Sequence, residues 1–165
     1  MTFVNIVRQL RNMNNKIVGD TGERDVCRLV KCPNCQNALV LLPPGFPLYD
    51  IQCSRCLFRA QIKTISSKPK NSILGAGYDI YEKVLKAGIL APQLIVNFKW
   101  LDNNNSCQEI RFYPFIAKGN IQKYQLSEKA RRANYKMFRY IKLDKIPCIV
   151  LYQKFDPLNR DSNTE

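Results

Sequence analysis

The sequence predicts an α/β fold in one domain, and three observations predict it. Hydrophobic residues make up 45% of the 165 residues, a share that suits a packed core and not a disordered chain. A strand-like segment, an amphipathic helical segment and a second strand-like segment follow one another between residues 57 and 101. This order predicts a right-handed crossover in a sheet flanked by helices. Two CxxC pairs, "CPNC" at 32–35 and "CSRC" at 53–56, add a cysteine hairpin.

The first 49 residues predict two helices and a strand. Apolar residues at helical spacing predict a helix over residues 3–13. Asp20 or Thr21 is placed to cap a second, short helix that carries Glu23. The segment "ALVLLPPGFPLY", residues 38–49, predicts a strand followed by a Pro/Gly loop, because proline cannot donate a hydrogen bond to a neighbouring strand.

The middle of the chain predicts the strand–helix–strand unit. Residues 57–65 alternate between apolar and polar side chains, the pattern of a strand with one buried face. The polar side chains of this strand include Arg59, Gln61 and Lys63. Helical spacing predicts a helix over residues 76–87 that ends at Gly88. The segment "PQLIVNFKWL", residues 92–101, predicts the next strand.

The last third of the chain predicts antiparallel strands beside this unit, and hence a mixed sheet. Residues 108–116, "QEIRFYPFI", are expected to return as the antiparallel neighbour of residues 92–101. Residues 126–138 predict either a short capped helix or a basic loop. Two short strands complete the prediction, at residues 138–143 and 146–153. We expect one domain over residues 1–154 and a polar C-terminal tail over 155–165.

The charge of the chain predicts a polyanionic partner. Its 26 Lys and Arg residues outnumber its 13 Asp and Glu residues and give a net charge of +13. Nucleic acid is the first candidate, and an anionic membrane surface is the second. The plainest alternative is a solvated basic surface.

Neither a membrane span nor a signal peptide is predicted. No apolar run approaches the ~18 residues that cross a bilayer. Charged residues interrupt the N-terminal segment "MTFVNIVRQLRNMNNK", which therefore lacks the apolar stretch of a signal peptide. We expect a cytoplasmic protein without a membrane partner, in a compartment where disulfides are rare.

Four of the seven cysteines predict a structural zinc site: Cys32, Cys35, Cys53 and Cys56. Zinc prefers four soft ligands in a tetrahedron at roughly 2.3 Å, and each CxxC turn offers two thiolates. A catalytic zinc ion would need an open position, which four cysteines do not leave. The chain contains no His, so His ligands and His-based triads are excluded. Cys27, Cys107 and Cys148 are expected to be isolated, buried small hydrophobes, although Cys27 is near enough to Cys32 in sequence to be a rival ligand.

The second cysteine pair lies in "LYDIQCSRCLFRAQIKT", residues 48–64, which predicts a second site. If the hairpin turns midway between the two cysteines, Asp50 faces Arg59 across the strands. Because side chains alternate along a strand, Asp50, Gln61 and Lys63 then share one face, with Asp50 and Gln61 a diagonal pair roughly 7–8 Å apart. A slip of one residue would destroy this arrangement, so a metal-clamped turn is useful here.

These residue types suit the metal-assisted hydrolysis of a phosphodiester. Mg²⁺ prefers hard oxygen ligands, and its predicted ligands are Asp50, Gln61 and Ile62. The ion polarises the phosphoryl group and lowers the pKa of a bound water. Lys63 is expected to orient that water or to neutralise the developing charge. The alternative is a basic strand with a chance Asp nearby.

The chain also contains four stretches whose combination is informative: "CPNC", "YDIQCSRCLFRAQIKT", "GAGYDIYEKVLKAG" and "KARRANYKMF". Together they resemble the catalytic domain of DpnI-like methyl-directed type II restriction endonucleases, over residues 21–150. The resemblance implies the PD-(D/E)xK nuclease fold with a four-cysteine zinc insert, and recognition of adenine-methylated GATC. The family's acid before the second CxxC falls on Asp50, and its ExK pair falls on Gln61 and Lys63.

The sequence departs from the family pattern in three places. Gln61 replaces the family's Glu, as in the QxK version of related Mrr-type nucleases, and removes one negative charge from the metal site. The resemblance implies that Glu23, on the upstream helix, supplies the missing charge. The chain ends before the winged-helix domain that follows in the family, and "ANY" at 133–135 replaces "AGW".

The predicted DNA contacts are basic or aromatic residues outside this trio: Lys68, Lys70, Arg131, Arg132 and Tyr135. Solvated surface positions are the alternative for each.

Two hypotheses about function follow from the sequence. The first is a Mg²⁺-dependent DNA endonuclease with a structural zinc. The second is a non-catalytic zinc-ribbon module that binds nucleic acid, in which Gln61 marks a lost active site. One active site per chain implies either a homodimer or a monomer that makes two successive nicks.

Overall fold

The structure is a computed structural model that describes residues 18–88, 92–102, 105–127 and 136–157. Two α-helices and nine strands lie within these residues. Helix α1 covers residues 18–29 of the described chain, and α2 covers Tyr78–Lys86. The strands are β1 (Leu39–Leu41), β2 (Ile51–Cys53), β3 (Arg59–Ile65), β4 (Ile73–Gly77), β5 (Gln93–Asp102), β6 (Asn105–Tyr113), β7 (Ile121–Gln125), β8 (Lys136–Tyr140) and β9 (Ile149–Pro157).

The predicted α/β class and its mixed sheet are confirmed. The central sheet has six strands in the order β1-β2-β3-β5-β6-β9. Strands β3 and β5 are parallel and α2 lies between them in the chain, which is the predicted strand–helix–strand unit. The other neighbours are antiparallel, including β6 beside β5 as predicted. The sheet therefore places β3 in its interior.

A second sheet of three strands, in the order β4-β8-β7, was not predicted. Strand β4 occupies "ILGAG" and includes the first two residues of the predicted helix over residues 76–87, so α2 begins at Tyr78 and not at residue 76. Gly75 permits the packing of β4, because a Cβ there would lie 2.0 Å from Cε2 of Phe138 on β8. Gly88 has φ 76° and follows the end of α2, as predicted.

Buried apolar residues form one cluster on each face of the central sheet. The first cluster joins α1 to the sheet and includes Val26 and Ile62. The second joins the sheet to α2 and the small sheet, and it includes Tyr81, Val96 and Phe138. The central strands are thus covered on both sides.

The prediction of an exposed polar face on β3 is therefore wrong for two of its three residues, Gln61 and Lys63. Gln61 is 2% exposed and Lys63 is half-buried. The reason is that β3 pairs in parallel with β5 in the middle of the sheet, and such strands are normally covered on both faces. Gln61 and Lys63 instead lie inside the molecule, where each needs a partner or a function, whereas Arg59 at the start of β3 is exposed as predicted.

The register of the predicted hairpin also differs from the prediction. Ile51 pairs with Ala60 and Gln52 with Arg59, so the same register continued by one residue would bring Asp50 opposite Gln61 and not opposite Arg59. The N–H of Asp50 itself donates to the carbonyl of Ala60 at 3.0 Å. The turn is centred one residue later than predicted, since the N–H of Cys53 donates to the carbonyl of Phe58 at 2.9 Å. The position opposite Asp50 thereby moves from 59 to 61. Side chains alternate along a strand, so both positions lie on the same face of β3.

The ends of the chain bear on two further predictions. Strand β9 extends to Pro157, so the segment 155–165 predicted as a tail begins inside a strand. The predicted helix over residues 3–13 lies outside the described residues. Within the part of the chain that the structure describes, no helix is long and apolar enough to cross a membrane.

Candidate functional site

The four predicted cysteine ligands meet in one cluster. Their sulfur atoms all lie within 4.8 Å of one another, with 3.6 Å between the Sγ atoms of Cys32 and Cys56 and 3.4 Å between those of Cys35 and Cys53. Zn–S bonds of about 2.3 Å in a tetrahedron place sulfurs about 3.8 Å apart, so the donor set fits a structural zinc ion. Cys27, the predicted rival, is not part of the cluster and is half-buried. Cys107 is buried as predicted, whereas the prediction that Cys148 is buried is wrong, because Cys148 is exposed.

Each CxxC turn, residues 32–35 and 53–56, forms a knuckle in which local hydrogen bonds reach a cysteine sulfur. In the second knuckle, the main-chain N–H groups of Arg55 and Cys56 donate to Sγ of Cys53 at 3.3 and 3.4 Å. In the first, Nδ2 of Asn37 donates to Sγ of Cys35 at 3.4 Å. This bond, together with hydrogen bonds from the main chain of Asn37 and from Cys53, lowers the pKa of the Cys35 thiol to about 6. Such donors stabilise the charged form of sulfur that a metal requires.

Asp50 directly precedes β2, next to β3. Its Oδ2 accepts a hydrogen bond of 2.6 Å from the main-chain N–H of Ile62. Continued pairing would bring residue 49 opposite Ile62, so the carboxylate takes the place of a main-chain acceptor. Burial raises the pKa of Asp50, and this is partly offset by the Ile62 bond and by the charge of Lys63.

Glu23 and Lys63 lie within electrostatic reach of Asp50 and of each other. Burial, together with the charges of Asp50 and Asp20, raises the pKa of Glu23 to about 7, and Lys63 opposes this shift. Burial lowers the pKa of Lys63, against the attraction of Asp50 and Glu23. The structure thus brings together Glu23 from α1, Asp50 from the residue before β2 and Lys63 from β3.

These acids line a cleft of about 480 Å³, which we call the acidic cleft. Its lining includes Asp20, Glu23, Arg24 and Asp50, and the Pro/Gly loop forms another wall. A cleft of this kind is open to a ligand, and its carboxylates attract cations.

Gln61 has an internal partner that the sequence did not predict. The hydroxyl of Tyr140, on β8, donates to Oε1 of Gln61 at 2.7 Å, and both side chains are buried. Burial, together with the charge of Asp50, raises the pKa of Tyr140. Tyr140 therefore belongs to the same group of residues. Nothing in the pattern "FRYIKL" marks it, because the contact spans two sheets.

The predicted DNA contacts are only partly described. Lys68 is exposed, and its Nζ lies 3.0 Å from Oδ2 of Asp102, at the end of β5. Lys70 is also exposed. The other predicted contacts lie outside the described residues: Arg131, Arg132 and Tyr135.

Comparison with protein-family models and with curated proteins gives no match for this chain. Its class therefore rests on the fold and the site: an α/β domain with a mixed six-stranded sheet, a small second sheet and a four-cysteine cluster suited to structural zinc. Among the described residues, this cluster is the only group of three or more Cys, His, Asp or Glu side chains close enough to share one ion.

Proposed function

We propose that the chain is a Mg²⁺-dependent DNA endonuclease with a structural zinc site. One observation carries the proposal: Asp50 is held beside β3 by its 2.6 Å bond to Ile62, next to Lys63 and Glu23. A carboxylate beside a strand that carries a lysine, with a second carboxylate from a helix, suits the hydrolysis of a phosphodiester by a divalent ion.

The two carboxylates supply the charge that a divalent cation needs. Asp50 raises the pKa of Glu23, which means that the two charged forms repel each other. A cation near both groups would relieve this repulsion, and carboxylate oxygens are ligands that Mg²⁺ prefers. The candidate ligands are Asp50 and Glu23, with Gln61 and the main-chain carbonyl of Ile62 as neutral oxygens. When bound, Mg²⁺ polarises a phosphoryl group and lowers the pKa of water.

Lys63 is the candidate proton carrier and charge stabiliser. Its ammonium group is partly withdrawn from solvent, where burial lowers the pKa. A lysine with a lowered pKa is better able to exchange a proton with an attacking water near neutral pH. In its charged form, it stabilises negative charge that develops on the phosphate.

The finer proposal is a restriction-type enzyme that acts on adenine-methylated GATC in double-stranded DNA. It rests on the resemblance of the motifs to DpnI-like endonucleases and on the net charge of +13. The same resemblance implies the PD-(D/E)xK fold.

A non-catalytic nucleic-acid-binding module is the second candidate, and one observation favours it. Gln61 is 2% exposed, and its amide oxygen already accepts the Tyr140 hydrogen bond. The variant Gln61→Glu tests whether Gln61 is a metal ligand. If Gln61 is a metal ligand, the added charge should tighten Mg²⁺ binding by calorimetry and keep cleavage. Unchanged Mg²⁺ affinity would remove Gln61 from the ligand set.

Plasmid cleavage tests the proposed function directly. We expect the wild type to cut in Mg²⁺, with adenine-methylated plasmid preferred over unmethylated plasmid. Lys63→Ala and Asp50→Asn should each lower the rate at least ~10²-fold, because each removes an electrostatic group at the reacting phosphate. Lys86→Ala, an exposed lysine on α2, is the matched control. Circular dichroism and zinc content should stay unchanged in all three variants. A wild type that cuts no DNA in Mg²⁺ or Mn²⁺ would leave the second candidate.

A further inference from the structure

A second cleft lies beside the acidic cleft, and apolar and aromatic side chains dominate its lining. We call it the aromatic cleft, and its volume is about 600 Å³. Its lining includes Phe46, Tyr49, Leu57, Arg59 and Phe115. Phe46 and Tyr49 also line the acidic cleft, so the two clefts share a wall. A ligand in one cleft is therefore adjacent to a ligand in the other.

Three large apolar side chains of the aromatic cleft are exposed. Leu57 is 100% exposed, Phe115 71% and Phe46 39%. Grouped exposed apolar residues mark a binding surface more often than scattered ones. Leu57 directly follows Cys56 and precedes the buried Phe58, so the cysteine cluster and the core both hold its main chain. The hairpin thus presents Leu57 on a fixed support.

The charge of the aromatic cleft suits an anionic ligand. Arg59 is the only charged residue in the described lining, and its Cζ lies 5.8 Å from the centre of the Phe46 ring. Aromatic faces stack on nucleobases, and an arginine binds phosphate. A flat base attached to a phosphate backbone satisfies both features.

We propose that the aromatic cleft binds an unstacked nucleobase of the DNA substrate, next to the phosphate at the acidic cleft. Leu57 acts as an apolar wedge that enters the base stack, as apolar side chains do in proteins that kink DNA. Phe46 and Phe115 provide stacking surfaces for the displaced base, and Arg59 contacts its phosphate. The inference rests on the proposed function for the identity of the polymer, but not for cleavage.

A binding assay without added Mg²⁺ tests the inference separately from catalysis. The probes are a fluorescein-labelled duplex with one extrahelical base and the fully paired duplex of the same sequence. We expect the wild type to prefer the duplex with the extrahelical base. Leu57→Ala and Phe115→Ala should each weaken binding to it on the order of 10-fold. Binding to the paired duplex should weaken less, since its base must first be unstacked.

Leu101→Ala is the matched control, because Leu101 is 69% exposed on β5 and does not line the aromatic cleft. It should bind both duplexes like the wild type. Equal affinity of the wild type for both duplexes would overturn the inference, and so would an unchanged preference in both cleft variants.

Sedimentation of the protein alone tests the rival occupant, a second copy of the chain. A wild-type dimer that Leu57→Ala dissociates would assign the aromatic cleft to self-association and overturn the inference. A wild type that cleaves no DNA but prefers the extrahelical base would refute the proposed function and support the inference. A wild type that cleaves DNA but does not prefer the extrahelical base would support the proposed function and refute the inference.

Discussion

Asp50 accepts a main-chain hydrogen bond at the point where two strands separate, and this accounts for its electrostatics. The bond to Ile62 holds the carboxylate beside β3, so it stays half-buried and close to Glu23. The charged form of each carboxylate is therefore less stable than it would be in water, and the pKa of each is raised. At the residue scale, the candidate site is a pair of acids whose charges are only partly balanced by Lys63.

The titration of Glu23 yields a pH prediction. Its pKa is raised from 4.5 to about 7, so the folded state binds this proton more tightly than the unfolded state. The contribution of Glu23 to stability therefore falls as pH rises from about 4.5 to about 7. Glu23→Gln should remove this part of the pH dependence. Above pH 7 it should raise the free energy of unfolding by on the order of 1 kcal/mol, a value reduced for solvent screening.

Urea unfolding between pH 4 and 8 measures this effect, with Glu82→Gln on α2 as the control. The control should keep the wild-type slope. A Glu23→Gln variant with the same slope as the wild type would contradict the burial of the Glu23 carboxylate. Addition of Mg²⁺ should stabilise the wild type more than Glu23→Gln if Glu23 is a ligand.

At the scale of elements, the packing of α1 on β3 positions Glu23. Gly22 makes the approach possible, because a Cβ there would lie 1.8 Å from Oγ1 of Thr64. The helix also contacts the sheet through Asn97, whose Nδ2 donates to the carbonyl of Gly22 at 3.5 Å. Glu23, the candidate metal ligand, directly follows Gly22. A shift of the helix would therefore also move the Glu23 carboxylate.

Gly22→Ala should therefore destabilise the protein by about 1–3 kcal/mol and lower cleavage, because the helix must move away from Thr64. Gly19→Ala is a matched control on the same helix, since no atom of the residues that the structure describes lies within 4 Å of its added Cβ. It should stabilise the protein by about 0.5–1 kcal/mol. Thermal unfolding of both variants measures the difference. Equal melting temperatures would show that α1 does not contact β3 closely.

The hairpin of β2 and β3 is the second element with a prediction. Structural zinc contributes on the order of 10 kcal/mol in small domains, comparable with the stability of a whole domain. Cys53→Ser should therefore lose zinc and give unfolded or insoluble protein. Cys148→Ser, which changes an exposed cysteine outside the cluster, should keep both zinc and fold. Elemental analysis of soluble wild type without zinc would rule out the structural role.

At the scale of the whole molecule, the net charge of +13 predicts DNA binding that depends steeply on salt. Each phosphate contact contributes roughly 0.9 to the slope of log K against log salt. Lys70→Ala should lower the slope by about that amount. Lys68→Ala should lower it less, because Lys68 is already paired with Asp102. Fluorescence anisotropy at several salt concentrations measures these slopes.

Lys154→Ala is the control for that series. Lys154 lies on β9, at the far edge of the sheet from the hairpin, and forms an ion pair with Asp156. Its replacement should leave the salt slope unchanged. If all three lysine variants keep the wild-type slope, the predicted contacts are solvated surface residues.

The sequence by itself determined what depends on short-range patterns. The spacing of the two CxxC pairs identified the four cysteines of the cluster, because each knuckle is a local turn. The change of hydrophobic period from two to 3.6 and back predicted the parallel β3–β5 unit. Strand alternation predicted Asp50 on the same face as Gln61, and a register shift by two residues does not alter that prediction.

Only the tertiary structure decided which polar side chains are buried and what they contact. The Gln61–Tyr140 bond joins residues separated by 79 positions, and no local pattern encodes such a pair. The small sheet follows the same rule, since β4 becomes a strand by pairing with β8, far along the chain. Alternation shows which residues share a face of a strand. Whether that face meets solvent or a second sheet depends on the free energy of packing distant segments together.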